Sequence, residues 1–466
     1  VSTTVYDVAV VGAGVVGSAV ASALVRLGLS VVLVEAGADV GAGTSKANTA
    51  IWHTGFDAKP GTLEAGMVAR GHVLLQEGSQ RWGWPLRRVG ALLVAWDDAQ
   101  LSRLDAITAQ ARANGYTAIT ALTTAQVYAA EPHLGAGVRG ALLVPDEGLL
   151  DPWAVTLALA TDAVVNGATL RRSSPVVAVT GDGDRRTRHH VLSTPGGELR
   201  AAWLVNTAGL QSDTVDRLLG HDGFTVTPRR GQLIVFDKLA ARLVTRVLLP
   251  VPTEHSKGVL VSPTVYGNVL LGPTAEDLPD RTDTATTAEG LRGLLARGRD
   301  LLPALVEEEV TATYAGLRAA TEHADYCYEV FPADRYVRVG GIRSTGISSA
   351  LALAERVADD LGSCGLVTAP LVEPVVVRVP DLAELRGPGS RPRPYLDADL
   401  IRSDPEYGRI VCHCERVTAG ELRDALASPL PPVDLDGLRR RTRALMGRCQ
   451  GFACGATLTA LLEDAP

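Results

Sequence analysis

Residues 6–11 (YDVAVV) form an apolar run rich in valine, followed by Gly12, Gly14 and Gly17 and then by SAVASALVRLGL, which has helical length and composition. A run with no polar face suits a strand buried in a parallel sheet. A second run, SVVLVE, ends at Glu35, so the first 35 residues predict a strand–helix–strand unit with a glycine-rich turn. The pattern then changes. QLSRLDAITAQARANG (100–115) predicts a helix, while ALLVAW (91–96), GQLIVFD (231–237), GVLVSPT (258–264) and NVLLGPT (268–274) predict strands closed by Gly, Pro or Asp. Strands that follow one another without helices predict an antiparallel sheet. Residues 161–209 and 335–362 return to strand, glycine and helix. The expectation is a nucleotide-binding domain assembled from three separated segments, with a sheet-based substrate domain inserted between them.

The periodicity dissolves over residues 366–408, which hold seven prolines and predict a stiff, extended connector. Beyond it lies a module of about 60 residues, small enough to need a metal for an independent fold. The 466-residue length allows roughly two to four domains at the usual ~100–200 residues each. The formal charge of −7, from 52 acidic and 45 basic residues, excludes a broad nucleic-acid footprint. No apolar run approaches the ~18–20 residues of a membrane helix, which leaves room only for peripheral membrane contact. The start, VSTTVYDVAVVGAG, does not read as a signal peptide. A globular, cytoplasmic protein is expected.

Gly12-Ala13-Gly14-Val15-Val16-Gly17 lies between a strand and a helix. The first glycine permits the turn, the second admits a pyrophosphate to the backbone, and the third lets helix pack on strand. The helix start offers N–H groups and the positive end of a dipole. Glu35 stands where an acid accepts hydrogen bonds from a ribose 2′-OH, and it argues against a 2′-phosphate. These rules do not separate FAD from NAD. No second turn of this quality follows a strand; TGDGD (180–184) predicts a hairpin turn.

Cys327 and Cys364 stand alone, whereas Cys412, Cys414, Cys449 and Cys454 crowd the last 55 residues. Four thiolates suit a [2Fe–2S] cluster or a structural zinc, and the CxC half fits the usual zinc spacing poorly. Arg439, Arg440, Arg441, Arg443 and Arg448 lie just before Cys449. They predict cations that favour a reduced cluster, a solvated basic helix face, or a docking surface for an acidic partner.

The fingerprint, TSKANTAIWHTG (44–55), LVNTAGLQSD (204–213) and GGIRSTGISS (340–349) together resemble the D-amino-acid-oxidase or glycerol-3-phosphate-dehydrogenase type of FAD-dependent oxidoreductase, in that family's order. The resemblance implies FAD as cofactor, held by Gly12, Gly14, Gly17, Glu35, Thr44, Ser45, Asn48, Ala208, Gly209, Gly341, Gly346 and Ile347. NTAIWHTGFDAKPGTLEAGMVARG is similar to the subgroup of glycerol-3-phosphate oxidases and L-2-hydroxyglutarate dehydrogenases, in which His53 matches the active-site histidine. Oxidising a secondary alcohol moves hydride to the flavin and needs a base for the hydroxyl proton, and a histidine of pKa ~6.5 suits that. Lys257 and Arg318 match positions that hold the substrate phosphate; Arg343 and Ser344, in the turn near the flavin, are weaker substrate contacts. IVCHCERVTAGEL to RTRALMGRCQGFAC resembles the bacterioferritin-associated-ferredoxin type of [2Fe–2S] domain, with Cys412, Cys414, Cys449 and Cys454 as ligands.

The expected fold is α/β plus α+β. A Rossmann-like FAD domain (about 5–85, 145–225 and 325–362) carries an inserted antiparallel-sheet substrate domain (about 86–144 and 226–324). A linker (366–407) leads to a small [2Fe–2S] domain (408–466). The expected function is dehydrogenation of a small anionic hydroxy compound, sn-glycerol 3-phosphate first and 2-hydroxyglutarate-like acids second. Electrons would leave through the cluster to an external acceptor, a flavoprotein subunit, carrier protein or quinone, in a hetero-oligomer. An amino-acid, opine or imino-acid dehydrogenase subunit and a non-catalytic redox module are the alternatives.

Overall fold

The computed structural model describes residues 4–182, 189–252, 258–306, 309–385 and 392–464. Strand β1 (Val5–Val11), helix α1 (Val15–Arg26) and strand β2 (Val31–Val34) form the expected unit. β1 pairs in parallel with β2, and β2 with Thr169–Arg171. On its other side β1 runs parallel to strand β3 (Gly197–Asn206). The run VAVV of β1 and all of β2 are buried, which explains why neither shows alternation. An antiparallel hairpin, Ala178–Asp182 with His189–Thr194, extends the sheet beyond β3. Thr180–Asp182 are therefore strand, and Gly183 and Asp184 lie outside the described residues.

The second sheet has nine strands. Its spine is strand β4 (Val226–Phe236) against strand β5 (Val310–Thr321), antiparallel over eleven residue pairs. The expected strands at 91–96, 231–237, 258–264 and 268–274 all belong to it. It is not uniformly antiparallel, since Val247–Pro250 lies parallel to Ala91–Val94. Strand β6 (Tyr336–Gly340) then returns to the first sheet, parallel to β3, and is followed by helix α2 (Gly346–Ser363). α1, α2 and Ala154–Val165 share one apolar core with β1 and β2.

The proline-rich stretch contains no helix or strand over residues 366–385, yet it is not a detached spacer. Main-chain bonds tie Ala369 and Leu371 to Leu27 and Arg26, Val379 to Trp82, and Glu384 and Leu385 to Val265. Leu382 and Ala383 enter the core under the second sheet. The last module holds two short paired strands, Ile410–Cys412 and Val417–Thr418, and three short helices. One of them, helix α3 (Leu435–Thr442), starts at Asp434, whose side chain accepts from the Gly437 N–H. Among the described residues no helix is long and apolar enough to cross a membrane.

Candidate active site and cysteine centre

The turn after β1 is built for a phosphate. Gly12 has φ +100°, and a Cβ on Gly17 would lie 1.8 Å from the Gly12 carbonyl oxygen, so the helix sits directly on the turn. α1 begins at Gly14 without a side-chain cap and without an acid in its first turn. Its first N–H, from Val15, donates to Ser45 Oγ at 2.9 Å. That places a hydroxyl from the 44–48 segment at an uncompensated helix start, a setting for an anion. Glu35 closes β2 with Oε2 accepting from the Ala13 N–H and Oε1 from the Gly37 N–H, each at 2.7 Å. Burial pushes its pKa up, against the pull of those N–H groups. A carboxylate with two oxygens keeps acceptor capacity for ribose hydroxyls. These residues fit the ADP half of FAD.

Three segments converge beside this cradle. Thr44 Oγ1 donates to the Leu317 carbonyl at 2.8 Å, and Tyr314 OH donates to the Asn48 carbonyl at 2.7 Å. β5 is thereby laced to the stretch that leads into His53. The His53 N–H donates to Ser348 Oγ, in the first turn of α2, at 3.2 Å. Asn48 itself shapes the backbone, donating to the Ser45 carbonyl and accepting from the Ala50 N–H. Ahead of α2, Gly341 takes φ +67°, the Arg343 guanidinium donates to the Ala324 carbonyl, and Ser344 is exposed. Gly346 and Ile347 open the helix. Ala208 and Gly209 follow Thr207, whose hydroxyl donates to the Val11 and Gly12 carbonyls under the fingerprint.

His53 does not stand by itself. Its Nδ1 lies 3.1 Å from Oε2 of Glu147, a carboxylate with no solvent exposure. The other oxygen of Glu147 accepts from the Thr54 N–H at 2.6 Å and the Thr54 hydroxyl at 2.8 Å. A carboxylate on Nδ1 selects the Nδ1–H tautomer and makes Nε2 the basic nitrogen. Behind the ring, His72 stacks on Trp52 at 4.0 Å and donates from Nδ1 to the His53 carbonyl; burial lowers the pKa of His72 and favours its neutral form. Glu147 carries no motif in the sequence, and only the fold pairs it with His53.

Arg318 is partly buried, and its guanidinium has no hydrogen-bond or ion-pair partner among the described residues. Burial, with Arg229 beside it, lowers its pKa from the ordinary guanidinium range. Arg229 is occupied by Asp277, through bonds of 2.6 and 2.9 Å. Gly231 makes the room: a Cβ there would lie 2.7 Å from Arg318 Nη2. A desolvated guanidinium of this kind suits a carboxylate or phosphate. Lys257 lies outside the described residues.

Of the four C-terminal cysteines, Cys412 lies beside Cys454 and Cys414 beside Cys449, while among the described residues their side chains do not close into a metal-holding group. Backbone N–H groups, that of Ala453 foremost, hold the Cys449 thiol below its usual pKa; burial pushes Cys454 up to about 11. Two pairs of thiols at this spacing could hold a [2Fe–2S] cluster. Four of the seven non-glycine residues with positive φ among the described residues (Arg416, Arg443, Leu445 and Gln450) surround this centre. Strain of that kind concentrates at functional sites. The basic stretch is not a solvated face. Arg440, Arg441 and Arg443 are buried, the first two on Asp39 and the third on Glu415 and over the Tyr266 ring at 3.6 Å. Arg448 is exposed.

Comparison with known proteins accords with both centres. The family described as FAD dependent oxidoreductase matches residues 7–360, and the BFD-like [2Fe-2S] binding domain matches residues 410–464. A glycerol 3-phosphate dehydrogenase of Caloramator mitchellensis is 35% identical over 98% of this chain and 94% of its own length. An L-2-hydroxyglutarate dehydrogenase of Caenorhabditis elegans is 30% identical over 58% of this chain and 63% of its own. Among solved structures, the L-alpha-glycerophosphate oxidase of Mycoplasma pneumoniae with FAD bound superposes with a TM-score of 0.75 at 26% identity, covering 80% of this chain and 98% of that one. The chain belongs to the FAD-dependent oxidoreductase family and carries a BFD-like [2Fe–2S] domain behind its flavin-binding part.

Proposed function

We propose that the protein is a dehydrogenase of a small anionic secondary alcohol, sn-glycerol 3-phosphate first and a 2-hydroxyglutarate-like acid second. The observation that carries this reading is the His53–Glu147 pair. Removing hydride from an alcohol needs a base at the hydroxyl, whereas a neutral amine can be oxidised without one. Glu147 holds the ring in the tautomer that can accept that proton at Nε2, and it stabilises the imidazolium that results. Thr54, bonded twice to the same carboxylate, keeps Glu147 from turning away. Arg318 orients the substrate through its phosphate or carboxylate. Lys257, Arg343 and Ser344 are further candidates for that role.

FAD, when bound, supplies a two-electron acceptor that can release electrons singly, and a [2Fe–2S] centre takes one at a time. The electrons therefore leave through the cysteine centre to an acceptor outside this chain, a flavoprotein subunit, carrier protein or quinone, in a cytoplasmic hetero-oligomer. Anaerobic mixing of the purified protein with glycerol 3-phosphate, 2-hydroxyglutarate, proline and an opine, followed by visible absorption, tests this. Flavin bleaching by one of the two hydroxy compounds is expected. Bleaching by an amine alone would replace this reading with an amine dehydrogenase. A flavin that stays oxidised throughout, while the centre still exchanges electrons with a carrier, would favour a non-catalytic redox module.

A further inference from the structure

We infer that α3 of the cysteine domain is a clasp on the FAD-binding loop, so that FAD retention depends on a domain that supplies no part of the flavin fold. The inference rests on residues 12–17 and 35–45 being the FAD cradle.

The loop from Glu35 to Asn48 carries both ends of that cradle, Glu35 at the start and Ser45 at the α1 N-terminus. Asp39, at its middle, is 2% exposed and within the loop accepts from the Val40 N–H. Arg172 of the flavin part approaches it only to 4.0 Å, and its close partners come from the other domain. Arg440 Nη2 and Arg441 Nη1 donate to Oδ2 at 2.8 and 2.7 Å, and Arg441 Nη2 donates to Oδ1 at 3.0 Å. Arg441 is itself fixed by bonds to the Leu430 and Gly437 carbonyls. The approach is close: a Cβ on Gly437 would lie 2.6 Å from Asp39 Oδ2. At the far side of the loop the charges are reversed, with Lys46 Nζ 3.1 Å from Asp436. One helix thus grips the loop at two points, a basic pair on its acid and an acid on its base.

A second observation ties the grip to Ser45. Val40, Gly41, Ser45, Trp153, Thr156 and Arg440 line one cavity, with room for about one water. Arg440 Nε and Thr156 Oγ1 are buried there without a hydrogen-bond partner among the described residues. Buried polar atoms left in this way call for a bridging water or a ligand group. They stand beside the hydroxyl that meets the anion end of α1. Arg440 and Arg441 are therefore positioning residues for FAD, acting through the loop. Because coupling between two binding events is reciprocal, bound FAD must tighten the domain by the factor that the domain tightens FAD.

The test is the rate of FAD release from the full-length holoprotein, read as recovery of free-flavin fluorescence after dilution. The double variant Arg440→Gln with Arg441→Gln should release FAD at least ten-fold faster than wild type. Lysine at both positions, which keeps the charge, should restore most of the retention. Lys46→Met, at the more exposed pair, should give a smaller acceleration and covers the case in which the double variant fails to fold. Release rates equal to wild type in both variants, with proteolysis at 366–407 showing the domain detached, would reduce the clasp to a domain adhesive. A wild-type protein that takes up no FAD would overturn the cradle itself.

Discussion

The carboxylate of Glu147 is shared among His53 Nδ1, the Thr54 N–H and the Thr54 hydroxyl, so it acts as a rigid support rather than a mobile acid. Replacing His53 with Asn removes the proposed base and should lower kcat by roughly 10²–10⁴-fold. Glu147→Gln keeps the shape but offers an amide where a charge stood. It should lower kcat about 10–100-fold and leave KM within about twofold, because the substrate does not touch it. Steady-state kinetics of both variants decide the matter, and a Glu147→Gln enzyme with unchanged kcat would remove this residue from the chemistry. Arg318 should behave differently. Arg318→Gln should lose the proposed charge-assisted contact with the substrate anion, worth about 1.5–3 kcal/mol, or roughly 10–100-fold in kcat/KM, with most of the loss in KM. Gly231→Ala should give a milder version of the same phenotype by pushing the guanidinium aside, an effect that nothing in the sequence around residue 231 announces.

At the scale of elements, the fingerprint and the four cysteines were legible because their chemistry is local: a strand, a turn and a helix start within a dozen residues, and thiols spaced for a cluster. Most of the second sheet was legible for the same reason, since each strand ends at its own turn residue. Pairings across the chain were not. Glu147 meets His53 from 94 residues away, and Arg440 and Arg441 meet Asp39 from 401 and 402 residues away. An arginine-rich stretch leaves its role open until its partners are known, and here Arg440 and Arg441 share one buried acid in another domain while Arg443 meets Glu415 within its own. The second contact of α3, at Asp436, has a pH signature. Around Asp436, Lys46 lies across the interface and Arg439 and Arg440 lie on its own helix. Burial alone would raise its pKa, but Arg440, Lys46 and Arg439 together hold it below the ordinary carboxylate value. A depressed carboxylate contributes stability above its unfolded pKa and loses it as pH falls through the folded value. Docking of α3 should therefore be constant from neutrality to about pH 4 and weaken below that. Limited proteolysis at 366–407 against pH would show it, and cleavage that rises already between pH 7 and 5 would rule this origin out.

For the whole molecule, the two centres differ in what holds them. The flavin part has a large shared core under two sheets, whereas the cysteine domain buries Cys412, Val417, Leu422, Leu438, Ala444, Cys454 and Leu458, so two of its seven core side chains are themselves proposed cluster ligands. A core that small gains much of its folding free energy from the metal it binds. Removing iron with a chelator and a reductant should therefore melt residues 408–464 while the flavin part persists. Calorimetry should resolve a low-temperature transition that is absent from the intact protein. The clasp adds a second consequence, since the loop between Glu35 and Asn48 would lose Arg440 and Arg441 when that domain melts. Iron removal should then speed FAD release by the same factor as the Arg440→Gln, Arg441→Gln pair, and no further in that variant, because both changes break one connection. If iron removal and the substitutions accelerate release independently, their effects multiplying, the cluster would act on FAD by a route other than α3.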